Sequence, residues 1–249
     1  MDLPFESGTR RRIYLMRHAE AAYMDADGRM TRDPRQVPLT AHGRREAAAM
    51  GALLGPTHFD RAACSGLPRT VETAELVLHD KRLPLERVPE LEEVRGGGRG
   101  GGVSAAPPTL ARDVAHSLLE AAKPEGRFLH GESFIELEQR VMGAFEKLVA
   151  QPDWERMLIV GHGAVNRVIL AWALGAPLGS MPRMEQDSCC LNVIDLDHDA
   201  DPAALTRVCV RALNVTAGDP TKAQHWLTSL ERQGQDLDAF LRSMARGDR

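Results

Sequence analysis

Residues Arg156–Leu174 read RMLIVGHGAVNRVILAWAL, and this stretch decides the fold. Its first part is a short apolar run that predicts a buried strand, which breaks at Gly161 and Gly163. The apolar pattern that follows has the spacing of a helix. A buried strand that leads into a helix through a tight turn is the unit from which α/β folds with a parallel sheet are built.

The same alternation of short apolar runs and helical patterns continues on both sides of this stretch. Further strands are predicted at Arg12–Arg17, Phe59–Ser65, Leu83–Leu91, Cys189–Asp197 and Leu205–Val215. Further helices are predicted over Arg45–Gly55, Leu67–Asp80, Leu110–Ala122, Ser133–Ala150 and Gln224–Ala245. Thr40 is a candidate N-cap for the first of these helices, and Ser133 with Glu136 has the capping-box spacing.

These elements predict a three-layer α/β sandwich, in which helices flank a mostly parallel central sheet. A chain of 249 residues with 43% hydrophobic content can bury a sizeable core, and we expect a single domain over residues 1–249. Six glycines within Gly96–Gly102 exclude a regular element there. We expect residues 96–140 to be a cap insertion, a largely helical excursion at one edge of the sheet and over the active site.

Composition excludes several classes of protein. No apolar run approaches the roughly 18 residues that a membrane span needs. A net charge of −4 provides no cationic field for nucleic acid. The four cysteines lack C-x-x-C spacing, and the first residues lack a secretory signal. We therefore expect a cytoplasmic protein that binds neither membrane nor nucleic acid; the sequence carries no signal for an oligomeric state.

Unusual polar residues follow three of the predicted strands. Arg17 and His18 follow the first, the segment after Ser65 leads to Arg69 at a helix start, and His162 lies between two glycines. Ligands of open α/β sheets collect at the carboxyl ends of the strands, so two arginines and two histidines should converge on one rim. Arginine forks and a helix N-terminus suit a phosphate dianion, and a neutral imidazole can attack phosphorus.

These segments occur in an order that resembles the histidine phosphatase superfamily, including its phosphoglycerate-mutase-like branch. The motifs are LMRHAEA at Leu15–Ala21, SGLPRTVETAEL at Ser65–Leu76, LEEV at Leu91–Val94 and VGHGAVNRVI at Val160–Ile169. The resemblance extends over roughly Arg12–Val215. It implies a metal-independent phosphatase without a cofactor, which hydrolyses a small-molecule phosphomonoester through a phosphohistidine.

The resemblance also implies a role for each motif residue. His18 would be the nucleophile, and Arg17, Arg69 and His162 would hold the phosphoryl oxygens and stabilise charge in the transition state. Glu93 would protonate the leaving oxygen and later accept a proton from water. Its neighbour Glu92 is the alternative proton donor.

The chain departs from the family at the residue after the nucleophile, where Ala19 replaces the usual glycine. A methyl group there could hinder approach of the backbone to a phosphate or restrict the turn. RHAEA also occurs in the small branch that acts on phosphohistidine in proteins, so a protein phosphohistidine phosphatase is an alternative. A phosphoglycerate-type mutase and a noncatalytic phosphate-binding module are others. A pure binder needs no proton donor, so the joint presence of His18, Glu93 and His162 favours an enzyme.

Two charged clusters are predicted to be solvated rather than functional. Arg10–Arg12 is short and is interpreted as a solvated edge. A second cluster lacks the spacing of a calcium loop and is interpreted as a solvated turn; it consists of Asp195, Asp197, His198, Asp199 and Asp201. The remaining histidines show no zinc-site spacing, so we expect no metal.

Overall fold

The computed structural model describes residues 8–23, 31, 33–79, 81–97, 109–199, 205–224 and 226–246. The strands are β1 (Gly8–Arg17), β2 (Arg61–Cys64), β3 (Leu85–Arg87), β4 (Arg156–Gly161), β5 (Leu191–Asp199) and β6 (Leu205–Val215). They form one sheet in the order β3-β2-β4-β1-β5-β6. Strands β1 to β4 are parallel, whereas β5 pairs antiparallel with both β1 and β6. The prediction of a mostly parallel central sheet is confirmed.

Six α-helices lie within the described ranges. They are α1 (Ala41–Leu53), α2 (Pro68–Val77), α3 (Leu110–Ala115), α4 (Phe134–Ala150), α5 (Gly163–Ala173) and α6 (Ser229–Arg246). The predicted caps of two helices are confirmed: Thr40 Oγ1 accepts from the Gly43 amide at 2.9 Å, and Ser133 forms a capping box with Glu136. None of these helices combines the length and apolar character needed to cross a bilayer.

The helices cover both faces of the sheet. Successive residues of the central strands point to opposite faces, so each strand contributes side chains to two cores. Ile13 and Leu15 of β1 and Ile159 of β4 pack with α4 and α5 in one hydrophobic core. Met16 of β1 and Leu158 of β4 pack with α1 and α2 in a second core. Burying each such side chain contributes about 1.5–3 kcal/mol. The predicted three-layer sandwich is confirmed.

Residues 109–130 form a helical excursion between the sheet elements. The helix predicted over Leu110–Ala122 breaks at His116, whose Nδ1 donates to the Arg112 carbonyl at 2.9 Å. The chain continues as a 3₁₀-helix over Ser117–Ala122, which packs on the segment Leu178–Arg183, while α3 packs on α6. Residues 98–108 lie outside the described part of the chain. That residues 96–140 form a cap insertion over the active site stays a prediction.

Two acidic residues of β5, Asp195 and Asp197, are buried in ion pairs with arginines of β1, so the predictions of a solvated turn and a solvated edge were wrong. Asp195 and Asp197 are 1% and 2% exposed. In the antiparallel register, Arg12 is the partner of Asp195 and Arg10 is the partner of Asp197. Each pair is joined by two hydrogen bonds of 2.6–3.0 Å, and those from Arg10 hold the pKa of Asp197 below its ordinary value. Asp201 lies outside the described residues.

Candidate active site

The sheet register brings the two histidines together. Arg17 at the end of β1 is the parallel partner of Gly161 at the end of β4, so the residues that follow, His18 and His162, are neighbours. The His18 amide donates to the Gly161 carbonyl at 3.0 Å. The two ring centroids lie 5.2 Å apart. The predicted meeting of both histidines at the carboxyl ends of the strands is therefore present.

His18 presents one ring nitrogen without a proton. Its Nδ1 lies 2.7 Å from the Ala19 carbonyl oxygen. A carbonyl only accepts, so Nδ1 carries the hydrogen and Nε2 keeps its lone pair. Burial, followed by the positive charges of Arg69 and Arg17, holds the pKa of His18 well below its ordinary value. The imidazole is therefore neutral and nucleophilic at Nε2.

A chain of hydroxyl groups sets the tautomer of His162. Its Nε2 lies 2.8 Å from Ser65 Oγ, which lies 2.9 Å from Thr70 Oγ1, and Thr70 donates to the Leu67 carbonyl at 2.8 Å. Because Thr70 has a single hydrogen, Ser65 must donate to Thr70 and accept from Nε2 of His162. Nδ1 of His162 is then an acceptor, 3.4 Å from Nη2 of Arg69. Burial and the charge of Arg69 lower the pKa of His162 well below its ordinary value.

The two arginines retain buried donors. Arg69 donates Nη1 to the Pro34 carbonyl at 3.0 Å, and Arg17 donates Nη1 to the Gln186 carbonyl at 2.6 Å. Among the described residues, neither Nε atom finds a hydrogen-bond partner. Buried N–H groups in folded proteins are nearly always paired. Two guanidinium groups with an unpaired donor beside two imidazoles therefore suit a bound anion.

Glu93 belongs to a loop that contacts the N-terminal end of α5, on the same rim. Its Oε1 accepts from the amides of Val94 at 3.0 Å and Ala164 at 3.2 Å. Gly163 lies between these groups: a Cβ there would lie 3.2 Å from Arg167 Nη1, 3.5 Å from Glu93 Oε2 and 3.7 Å from Arg17 Nε. The carboxylate thus lies near Arg17 and in contact with main-chain donors.

Glu92 has a different environment. Its Oε1 accepts from Arg35 Nη2 at 2.7 Å. Arg35 belongs to a turn whose Pro34 carbonyl accepts from Arg69, so the turn connects the arginine side of the site to the segment that carries both acids. Because Glu92 is held in an ion pair while Glu93 contacts α5, the geometry favours Glu93 over Glu92 as the proton donor.

The methyl group of Ala19 packs in a hydrophobic core. The side chain is completely buried and belongs to the core beneath α1 and α2. Its amide donates to Thr73 Oγ1 at 3.0 Å, and Thr73 donates to the Arg69 carbonyl at 2.6 Å. Ala19 is not among the described residues with positive φ. The alanine therefore needs no strained turn and joins the loop after His18 to α2.

Sequence reasoning missed four buried polar residues that hold the site groups: Ser65, Thr70, Thr73 and Gln186. The first three lie in the motif around Arg69, where hydroxyl residues next to a predicted helix start are a usable signal. Gln186 lies in an irregular segment and carries no such signal. Within the described ranges, no three His, Cys, Asp or Glu residues are grouped so that they could hold a metal ion.

Comparison with known proteins gives consistent matches. The family model described as "Histidine phosphatase superfamily (branch 1)" matches residues 13–208. The "Probable phosphoglycerate mutase GpmB" of Proteus mirabilis (strain HI4320) is 29% identical over 186 residues, or 75% of this chain and 85% of that protein. The adenosylcobalamin/alpha-ribazole phosphatase of Salmonella typhimurium is 30% identical over 195 residues, or 74% of this chain and 90% of that protein. The crystal structure of the alpha-ribazole phosphatase from Shigella flexneri superposes with a TM-score of 0.63 at 28% identity, covering 82% of this chain and 96% of that one.

Proposed function

This chain belongs to the histidine phosphatase superfamily, branch 1, and we propose that it is a phosphoric monoester hydrolase that cleaves a small phosphorylated molecule through a phosphohistidine at His18. The observation that carries the proposal is the hydrogen bond from Nδ1 of His18 to the Ala19 carbonyl, because it leaves the Nε2 lone pair available. The relatives named as phosphatases support hydrolysis as the reaction type.

In the first step, Nε2 of His18 attacks phosphorus and a nitrogen–phosphorus bond forms as the bond to the leaving oxygen breaks. Arg17 and Arg69 hold the other phosphoryl oxygens with the Nε donors that have no partner among the described residues. Glu93, protonated for this step, gives its proton to the leaving oxygen. The departing group is released as an alcohol rather than an alkoxide.

In the second step, a water molecule attacks the phosphohistidine. The Glu93 carboxylate accepts a proton from this water, the nitrogen–phosphorus bond breaks, and inorganic phosphate leaves. His18 returns to its neutral form with the proton still on Nδ1. The acid is then protonated again and ready for the next substrate.

His162 supports both steps through Nδ1. Its Nε2 hydrogen is held by Ser65, so the only ring nitrogen that can gain a proton faces Arg69 and the phosphoryl site. A phosphoryl dianion favours the protonated imidazole, since an opposite charge raises the pKa of a neighbouring base. The protonated ring then donates a hydrogen bond to a phosphoryl oxygen, and this bond strengthens as negative charge develops.

The test uses the purified full chain with an aryl phosphate and excess chelator. We expect continued release of inorganic phosphate and a phosphorylated protein with an acid-labile bond at His18, identified by mass spectrometry. The His18→Ala variant should form no phosphoenzyme. Loss of all activity on chelation would reject the metal-free mechanism, and phosphate binding without turnover would indicate a noncatalytic binding module.

A phosphoglycerate-type mutase is the second candidate, because a relative with that name matches at 29% identity. A mutase returns the phosphoryl group to a second hydroxyl, whereas a phosphatase transfers it to water. A panel of α-ribazole 5′-phosphate, 3-phosphoglycerate and a phosphohistidine peptide separates the activities. We expect phosphate release from a small ester; interconversion of phosphoglycerates without release would identify a mutase, and hydrolysis of the peptide alone would identify a protein phosphatase.

A further inference from the structure

Arg140 of α4 uses every hydrogen-bond donor of its guanidinium group within the protein. Nη1 donates to the carbonyl oxygens of Glu90 and Glu92, both at 2.7 Å. Nη2 donates to the Glu93 carbonyl at 3.2 Å and to Glu132 Oε2 at 2.8 Å, and Nε donates to Glu132 Oε1 at 2.6 Å. Since an arginine has five N–H donors, none is left for a substrate.

Glu132 extends this contact along the segment that carries the acid. Its Oε2 also accepts from the Arg95 amide at 3.1 Å, and its own amide donates to the Arg95 carbonyl at 2.8 Å. Burial tends to raise the pKa of Glu132, but hydrogen bonds from Arg140 and Arg95 hold it below its ordinary value. The Glu132 carboxylate therefore stays charged and joins Arg140 of α4 to the segment around Arg95.

The peptide of Glu93 is thus held on one side while its carboxylate is held on the other. Arg140 binds the main-chain carbonyls of Glu92 and Glu93, and Ala164 binds the Glu93 carboxylate through its amide. Without Arg140, these carbonyls and the half-buried carboxylate of Glu132 would lose charge-assisted bonds, and the segment could move away from α5. The distance from an acid to a leaving oxygen must be kept within hydrogen-bond reach for proton transfer.

We propose that Arg140 is a positioning residue, which places the Glu93 carboxylate for proton transfer by holding the peptide that carries it. The inference rests on the proposed function for the role of Glu93, but the hold on residues 90–95 can be measured independently of activity. Lysine has a single ammonium group and no planar fork, so it cannot replace the five bonds. The Arg140→Lys variant retains the charge opposite Glu132, which favours a folded protein.

The kinetic test compares aryl and alkyl phosphates as substrates of Arg140→Lys. An aryl leaving group needs little protonation, so we expect kcat/KM for the alkyl ester to fall about tenfold to a hundredfold further than for the aryl ester. Phosphoenzyme formation from the aryl ester should persist. Equal losses of kcat/KM with both esters would overturn the proposal, because a general structural defect lowers kcat/KM for every substrate alike.

The independent test is hydrogen–deuterium exchange of the full chain without substrate. In Arg140→Lys, we expect faster exchange in peptides covering residues 90–97 and at the Ala164 amide, since local opening exposes these groups. Arg127→Lys is the matched control, because Arg127 donates to the Gly131 carbonyl at 2.9 Å from an exposed position in the same region. Unchanged exchange in Arg140→Lys would overturn the proposal. Faster exchange in Arg140→Lys, together with a wild type that forms no phosphoenzyme, would instead reject the proposed function and retain the hold on the segment.

Discussion

The imidazoles of His18 and His162 lie 5.2 Å apart between centroids, and the residues are 3% and 0% exposed. Both pKa values are held well below the ordinary value of histidine, chiefly by burial and next by the positive charge of Arg69. Two neutral bases therefore share a buried space with two cations. Protonation of His162 at Nδ1 becomes favourable when an anion enters the site.

This arrangement predicts that stability falls as pH decreases below about 6.5, where histidines of the unfolded chain gain protons that His18 and His162 do not. Each histidine should contribute a slope of about 1.4 kcal/mol per pH unit to the free energy of unfolding. Urea unfolding between pH 7.5 and 5 measures this slope. Inorganic phosphate should reduce this slope, and the His18→Gln substitution should also lower it. A slope in the variant equal to that of the wild type would contradict the assignment of His18 as a buried neutral histidine.

Glu93→Gln should slow hydrolysis of an alkyl phosphate by about 10²- to 10⁴-fold, the usual contribution of a general acid, and slow an aryl phosphate less. Glu92→Gln is the matched control, because its carboxylate pairs with Arg35 instead of contacting α5. Steady-state kcat/KM for both esters is the measurement. If the Glu92 variant shows the larger loss with the alkyl ester, the roles of the two acids must be exchanged.

Ser65→Ala should lower kcat/KM about tenfold to a hundredfold, because an unpaired buried donor costs about 1–3 kcal/mol and the tautomer of His162 loses its restraint. Nitrogen NMR of the imidazole would show the Nε2 hydrogen in the wild type and a tautomer mixture in the variant. Ser180→Ala is the control, since its buried hydroxyl has no partner among the described residues. A loss of the same size in Ser180→Ala would argue against a specific role for the chain of hydroxyl groups that holds His162.

Ala19→Gly should leave kcat/KM within about twofold of the wild type and reduce stability by about 1 kcal/mol, since a buried methyl group is removed and backbone freedom increases in the unfolded chain. The methyl belongs to the core beneath α1 and α2. Chemical denaturation and aryl phosphate kinetics together check this. A large rise in activity would mean that the methyl obstructs the substrate.

Local signals predicted much of the fold. Thr40 and Ser133 marked helix starts because capping depends on residues within one turn. The polar residues after each apolar run predicted the meeting of His18 and His162, since parallel strands end at the same edge of a sheet. Here sequence pattern and spatial position are linked by the regular geometry of the sheet.

Other features depend on partners far away in the chain. Asp195 and Asp197 resembled a solvated turn because nothing nearby in sequence neutralises them; their partners Arg10 and Arg12 belong to the first strand. The break at His116 likewise reflects packing on α6 and on residues 178–183, which local propensity does not contain. The sequence marks Arg140 only as the last residue of the predicted cap insertion, since its contacts with the peptide that carries Glu93 require the three-dimensional arrangement.

The side chains of strand β1 alternate between the two cores in a fixed register. Leu15 enters one core, Met16 enters the other, and the next position places Arg17 opposite Gly161. Deleting a single residue within this strand would exchange the occupants of the two cores and shift His18 off its place beside β4. Insertions and deletions in descendants of this chain should therefore be rare in β1 and more frequent in connecting segments. The same few positions of β1 determine both the packing of the two cores and the place of His18.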